Sequence, residues 1–247
     1  MIILKTGQEI AKMRRSGEIV ASVLKRIGEV ARPGVATSHL DKIARRMMKE
    51  SGGEPSFLGY KGFPASICTS INEVVVHGIP GDRKLSSGDI LSVDVGVKLD
   101  GYHADAATTF VIGDVPDSAK KLIDVTKDAF FAGLDQARTG NRLGDISWAI
   151  QNYVESHNFS VVKVFVGHGI GTQMHEEPEI PNYGRPNSGP LLKEGMVLAI
   201  EPMVNEKKAE IEILEDGWTA VTVDGGLSAH YEHTIAITDE GARILTE

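Results

Sequence analysis

The chain has 247 residues, of which 41% are hydrophobic and 24% are charged, and its net charge is −8. This is the composition of an ordinary globular protein, and the negative charge argues against a nucleic-acid-binding surface. The single cysteine, Cys68, excludes an intrachain disulfide, and no run approaches the roughly 20 apolar residues of a membrane span. A soluble, cytoplasmic protein that binds neither DNA nor a membrane is expected.

The first half of the chain predicts two helices followed by strands. Thr6 and Glu9 have the spacing of a helix-capping box, and apolar residues recur after them with helical periodicity. A second helix is predicted to begin near Ser38 and to stop at Gly52-Gly53. Strand-like runs follow at 66–80, 89–97 and 102–112.

The second half repeats this order. Helices are predicted at 115–137 and 143–158, and strands at 159–167, 196–204, 209–223 and 230–238. The segment that ends at Asp94 resembles the one that ends at Glu201, 107 residues later, and 31–44 resembles 137–150 at nearly the same offset. We therefore predict one domain, 1–247, made of two repeats of roughly 6–115 and 116–247. Its class would be α+β and pseudo-twofold, with antiparallel sheets covered by helices.

Two aspartates stand in the strands on either side of a predicted turn. Asp100-Gly101 is a strong signal for a two-residue hairpin. This turn places Asp105 opposite Gly96 and Asp94 opposite Ala107. The two aspartates then share one face of the sheet as diagonal neighbours, about 7–8 Å apart.

A second turn, Asp216-Gly217, would place Glu201 opposite Glu232. If the two halves meet, four carboxylates converge and need positive charge, which two divalent cations would supply. His168, between glycines at the end of an apolar strand, could add a nitrogen ligand. Such a set suits manganese, iron(II), cobalt or zinc. From the residues alone, ordinary surface or edge positions for these carboxylates remain the alternative.

Five segments resemble the type I methionine aminopeptidases, over essentially the whole chain: 68–80, 94–110, 167–183, 192–203 and 229–238. The resemblance implies the pita-bread fold, a binuclear metal centre and removal of the initiator methionine from peptides and nascent chains. It implies that Asp94 chelates one metal ion and that His168 and Glu201 bind the other. Asp105 and Glu232 would bridge the two ions.

The same resemblance implies catalytic and binding residues. His175 matches a histidine that donates to the substrate carbonyl, His77 matches one near the scissile amide, and Glu201 would also move protons. The methionine pocket would be formed by Phe57, Tyr60, Phe63, Cys68, Met174 and Trp218. Some relatives also bind Na⁺ or K⁺ near Asn72, Val74 and Ser228.

Two positions depart from the commonest family pattern. Met174 stands where an aromatic residue is frequent, and Gly96 where a hydroxyl residue is frequent, which bears on the pocket floor and on hydrogen bonding near the metals. His230 shares the face of Glu232 by strand alternation, but a surface position is favoured for it.

The sequence also leaves three alternatives to consider. An Xaa-Pro peptidase of the same fold usually carries a domain ahead of the catalytic one, whereas catalytic-type sequence begins here within the first few residues. A type II methionine aminopeptidase would carry a helical insert, and none is apparent between 169 and 232. A non-catalytic binding protein on this scaffold would be expected to have lost metal ligands, whereas all five implied ligands are present here. The family role suggests a monomer with transient ribosome contact.

Overall fold

Two pairs of helices alternate along the chain with two groups of short strands. The computed structural model describes residues 1–247. The helices are α1 Gly7–Val30, α2 Thr37–Glu50, α3 Asp117–Leu134 and α4 Leu143–Ser156. The strands are β1 Glu54–Pro55, β2 Ile67–Ile71, β3 Val74–Val76, β4 Ile90–Leu99, β5 Tyr102–Val111, β6 Ser160–Val161, β7 Gly167–Gly169, β8 Glu176–Ile180, β9 Val197–Ile200, β10 Met203–Asn205, β11 Ile211–Ile213, β12 Ala220–Thr222, β13 Ser228–His230, β14 Glu232–Thr238 and β15 Gly241–Ile244.

The first helix begins as its sequence predicts. The Thr6 hydroxyl accepts a hydrogen bond from the Glu9 backbone N–H, and the Glu9 carboxylate accepts one from the Thr6 N–H. These reciprocal bonds satisfy amides that would otherwise lack partners at the helix start. One face of α1 is buried against the sheet through Met13, Val20 and Ile27.

All strand pairs are antiparallel, which confirms the predicted α+β class. The large sheet has nine strands in the order β1-β4-β5-β14-β9-β7-β8, with β2 on β4 and β15 on β14. Two three-stranded sheets, β13-β10-β6 and β11-β12-β3, complete the strands.

The first predicted hairpin has the predicted register. Asp100 and Gly101 both have positive φ, 49° and 86°, as a tight turn between β4 and β5 requires. Gly96 pairs with Asp105, and Asp94 pairs with Ala107.

The second predicted hairpin keeps its register but passes through three sheets. Ile200 pairs with His233 in the large sheet, while Met203 pairs with His230 in one small sheet. The continuous strands predicted at 196–204 and 230–238 are therefore wrong. Each breaks beside Pro202, which has no N–H for a ladder. Its carbonyl instead accepts a hydrogen bond from the Tyr231 N–H at 3.2 Å.

The strand predicted at 159–167 is also wrong as a single element. It divides into β6, which pairs with β10, and β7, which pairs with β9 in the large sheet. Val164, between them, is 66% exposed, so the apolar run does not stay on a buried face. His168 is consequently the middle residue of a three-residue strand rather than the end of a long one.

Each pair of helices covers its own hydrophobic cluster. The helices α1 and α2 pack on β2, β4 and β5, and α3 and α4 pack on strands of the second half. The chain contains no helix with the length and apolarity needed to cross a membrane.

Candidate active site

Four carboxylates lie on, or directly after, four adjacent strands of the large sheet. Asp94 is on β4, Asp105 on β5 and Glu232 at the start of β14, while Glu201 follows directly after β9. Ala107 is the partner of both Asp94 and Glu232, so these two residues share one row across the sheet. The β9–β14 register extends this row to Glu201, as the second turn predicted.

His168 supplies a nitrogen to this row. It pairs with Ala199 on β9, and its Nε2 lies 3.6 Å from Asp105 Oδ2 and 3.5 Å from Glu201 Oε1. Its Nδ1 lies 2.9 Å from the Gly169 carbonyl, which can only accept, so Nδ1 carries the ring proton. Burial lowers the pKa of His168 to about 4. The lone pair of Nε2 therefore faces the carboxylates.

In the absence of a cation, the pKa values of all four carboxylates are raised. Burial raises the pKa of Asp105 to about 7, against the hydrogen bond from the Thr234 hydroxyl that lowers it. Burial and the charge of Asp105 raise the pKa values of Asp94, Glu201 and Glu232 well above the usual range. A cation would reverse these shifts because it favours the charged forms.

These residues fit divalent metal ions. Ligand atoms of Asp105, His168 and Glu232 all lie within 4.8 Å of one another. Asp94 Oδ1 is buried and has no hydrogen-bond partner, although such atoms are normally paired. Oxygen donors with one neutral imidazole are typical of catalytic transition-metal sites, and no thiolate of a structural zinc site is among them.

One cavity of about 210 Å³ brings the sequence-predicted catalytic, metal-binding and pocket residues together. The carboxylates and His168 line it, as do His77, His175 and all six predicted pocket residues. Six further residues line the cavity that were not among the predicted site residues: Lys61, Val76, Phe165, Val166, Met203 and His230.

His175 lies beside the carboxylates and contacts Tyr60. The Tyr60 hydroxyl is 2.8 Å from His175 Nδ1, and the two rings stack with centroids 5.2 Å apart. Its ring centroid is also 4.2 Å from that of His168. Burial, then the positive charges that His168 and Lys61 can carry, lower the pKa of His175 to about 3. His175 is therefore a neutral hydrogen-bonding group near neutral pH.

His77 is held in a backbone conformation that is uncommon for a residue with a side chain. Its φ is 61°, in the left-handed region. The edges of aromatic rings fix its imidazole, with centroids 5.2 Å from Phe165 and 6.4 Å from Trp218. Burial lowers its pKa. Strain of this kind is often found at functional sites.

The apolar side of the cavity is closely packed. Phe63 meets Trp218 edge to face at 5.2 Å, and Met174 is buried with Phe57 beside it. Cys68 lies directly opposite Asp94 on β2. Burial and the neighbouring carboxylates raise the pKa of the Cys68 thiol well above its usual value, so it is a poor nucleophile.

The favoured surface position of His230 is wrong. Its side chain is buried, and it lines the cavity two residues before Glu232. Strand alternation was the signal that pointed to this placement. The strand breaks at Tyr231, but His230 and Glu232 still share a face, because the chain runs directly from β13 in one sheet into β14 in another.

The residues predicted to bind a monovalent cation lie outside the cavity. The Ser228 N–H donates to the Asn72 carbonyl at 2.8 Å, and Asn72 has a positive φ of 56°. Val74 begins β3 close by. The monovalent site stays a prediction.

Comparison with known proteins places this arrangement in a class. The model of metallopeptidase family M24 matches residues 11–239. The chain therefore belongs to metallopeptidase family M24, a family of hydrolases. Within that family it groups with the methionine aminopeptidases. The methionine aminopeptidase of Clostridium acetobutylicum is 56% identical over 247 residues, which cover 100% of this chain and 99% of the relative.

Solved structures confirm the pita-bread fold. The crystal structure of methionine aminopeptidase from Rickettsia prowazekii superposes with a TM-score of 0.99 at 45% identity, covering 100% of both chains. The prolidase of Pyrococcus horikoshii superposes with a TM-score of 0.82 at 22% identity, and this chain covers 64% of it. The second similarity is one of fold alone.

Proposed function

We propose that this protein is a metal-dependent aminopeptidase that removes the N-terminal methionine from peptides and nascent proteins. The observation that carries the proposal is a cluster of four carboxylates, of which Asp105 and Glu232 are buried, with a histidine lone pair facing it, beside a snug apolar cavity. The full-length similarity to methionine aminopeptidases supports the substrate class.

We propose that two divalent ions are held at this row. Asp94 would bind one ion, and His168 and Glu201 would bind the other. Asp105 and Glu232 would each bind both ions. Bound ions would lower the pKa of a water molecule, polarise the scissile carbonyl and hold the free α-amine of the substrate. Manganese, iron(II), cobalt and zinc all suit these donors.

The side chains around this row would then divide the remaining tasks. Glu201 would accept the proton of the attacking water and pass it to the leaving nitrogen. If the Tyr60 hydroxyl donates to His175 Nδ1, the ring proton lies on Nε2. The Nε2–H group can then donate a hydrogen bond to the carbonyl oxygen of the substrate as negative charge develops on it. His77 would contact the scissile amide.

The apolar side of the cavity would hold the methionine side chain. Aromatic rings and the Met174 thioether offer an apolar, polarisable lining that suits another thioether. The lining would be made of Phe57, Tyr60, Phe63, Cys68, Met174 and Trp218. Water would be excluded from the reaction as this pocket fills.

We also propose a cellular setting for this activity. A monomeric, cytoplasmic enzyme with transient ribosome contact would meet nascent chains, and its one cysteine is free. The sequence similarity between 6–115 and 116–247 supports a single domain built from two repeats. A Na⁺ or K⁺ ion near Asn72, Val74 and Ser228 would serve a structural role.

A direct experiment tests the activity. The protein is stripped with chelator, reloaded with manganese, iron(II), cobalt or zinc, and given Met-Ala-Ser and Ala-Pro peptides. We expect metal-dependent release of methionine from the first peptide. Release from Ala-Pro alone would indicate an Xaa-Pro peptidase, and no turnover with any metal would refute the proposal. Metal content per chain, measured by mass spectrometry, tests the number of ions.

A further inference from the structure

His230 is held in place from both sides of its backbone. Its N–H donates to the Thr109 hydroxyl at 3.0 Å, and its carbonyl accepts from the same hydroxyl at 2.9 Å. Thr109 Oγ1 is also 2.7 Å from Ser92 Oγ, which links the clamp to β4. The imidazole has little freedom, because only 3% of the side chain is exposed, and it faces the cavity.

The Nε2 atom of this fixed ring has no hydrogen-bond partner. It lies 3.8 Å from Glu232 Oε2, which is too long for a hydrogen bond. A buried, unpaired nitrogen costs free energy, so its position calls for a partner that the protein itself does not provide.

The distance has a close parallel at His168. Nε2 of that residue lies 3.6 Å and 3.5 Å from the nearest oxygens of Asp105 and Glu201. Two donor atoms bound to one ion, each at roughly 2.0–2.2 Å from it, stand at most about 4.4 Å apart. Both histidines therefore have the separation expected of co-ligands rather than of hydrogen-bonded pairs.

We infer that His230 Nε2 is a further ligand of the metal centre, on the Glu232 side. This inference rests on the proposed metal-dependent function. It gives the centre two imidazoles, with His168 and His230 at different carboxylates.

Replacement of His230 by Gln tests the inference. Gln keeps a polar side chain of similar length but removes the imidazole. Cobalt(II)-loaded protein is examined by X-ray absorption, which counts imidazole ligands, and by visible absorption during cobalt titration. We expect two imidazoles per pair of ions in the wild type and one in His230→Gln. The dissociation constant of one ion should rise roughly tenfold or more.

His233→Gln is the matched control. The His233 ring bonds to the Tyr231 and Thr246 hydroxyls and does not line the cavity, so the control should keep the wild-type spectrum. Circular dichroism of both metal-free variants shows whether they fold, and His230→Asn provides a second variant if Gln prevents folding. An unchanged imidazole count and unchanged cobalt affinity in a folded variant would overturn the inference, even if the rate falls. A wild type that binds no divalent ion would instead refute the proposed function.

Discussion

The ring of Phe57 occupies the space that a side chain at Gly96 would need. A Cβ at residue 96 would stand 2.7 Å from Phe57 Cε1 and 3.0 Å from Ser56 Cβ. Gly96 also pairs with Asp105, so the same position adjoins the carboxylate row. At this position the chain therefore has an aromatic ring packed over glycine.

Gly96→Thr should therefore displace Phe57 and disturb the methionine pocket. Contacts under 3.0 Å force the ring to shift, because the neighbouring backbone on β4 is held on both sides. We expect KM for methionyl peptides to rise about tenfold, a cost of about 1.4 kcal/mol. Peptide kinetics measure this, and Phe57→Leu in the same chain should restore part of the loss. A variant with wild-type KM would show that the ring does not shape the pocket.

Glu232→Gln should weaken metal binding while the fold stays intact. Glu232 is 2% exposed and shares its row with Asp94, so the amide removes one negative charge from the centre of the site. Calorimetric metal titration should show at least a tenfold loss of affinity, with a parallel loss of activity. Glu212→Gln, on exposed β11, is the control. Wild-type metal content and rate in Glu232→Gln would remove this residue from the centre.

Tyr60→Phe tests the hydrogen bond that orients His175. The substitution keeps the ring that stacks on His175 but removes the hydroxyl 2.8 Å from Nδ1. The rate constant kcat should fall roughly tenfold, while His175→Ala should lower it by roughly 10² to 10³. In the His175→Ala background, Tyr60→Phe should cause no further loss of kcat. Additive losses in the double variant would show that Tyr60 acts independently of His175.

The sequence predicted the register of the two hairpins better than it predicted the continuity of the strands. A turn and the two-residue period of a strand determine which residues share a face, so the pairings of Asp94 and Asp105 follow from Asp100-Gly101 alone. The register predicted from Asp216-Gly217 is kept through two changes of sheet for the same reason. The position of each turn and the two-residue period of a strand were sufficient to predict both registers.

Strand continuity and depth of burial depend on tertiary contacts instead. The break at Pro202 could be suspected from the missing N–H, but the passage of 159–167 between two sheets has no local signal. His230 was placed on the correct face, yet its burial depends on β4 and β5, which are remote in sequence. The overlap of Phe57 with Gly96 likewise joins segments that no periodicity connects.

The stability of the metal-free protein should depend on pH through Asp105. Its pKa is raised from 3.8 to about 7 by burial, so the folded state binds more protons than the unfolded state between these values. This contribution to stability is fully present below about pH 4 and is lost as the pH rises through 7. The buried histidines act in the opposite direction, since burial lowers the pKa values of His168 and His230 to about 4 and 3. The wild type alone therefore cannot isolate the effect.

A comparison with Asp105→Asn cancels the histidine contribution. Urea unfolding in excess chelator at pH 4, 5.5 and 7 gives the free energy of unfolding of both proteins. Asn does not titrate. The free energy of unfolding of the variant, relative to that of the wild type, should therefore increase by up to about 1.4 kcal/mol per pH unit as the pH rises across this range. Asp239→Asn, at an exposed turn, is the control and should show no such gain. A constant difference between Asp105→Asn and the wild type from pH 4 to 7 would mean that Asp105 is ionised in the metal-free protein and that burial does not hold its proton.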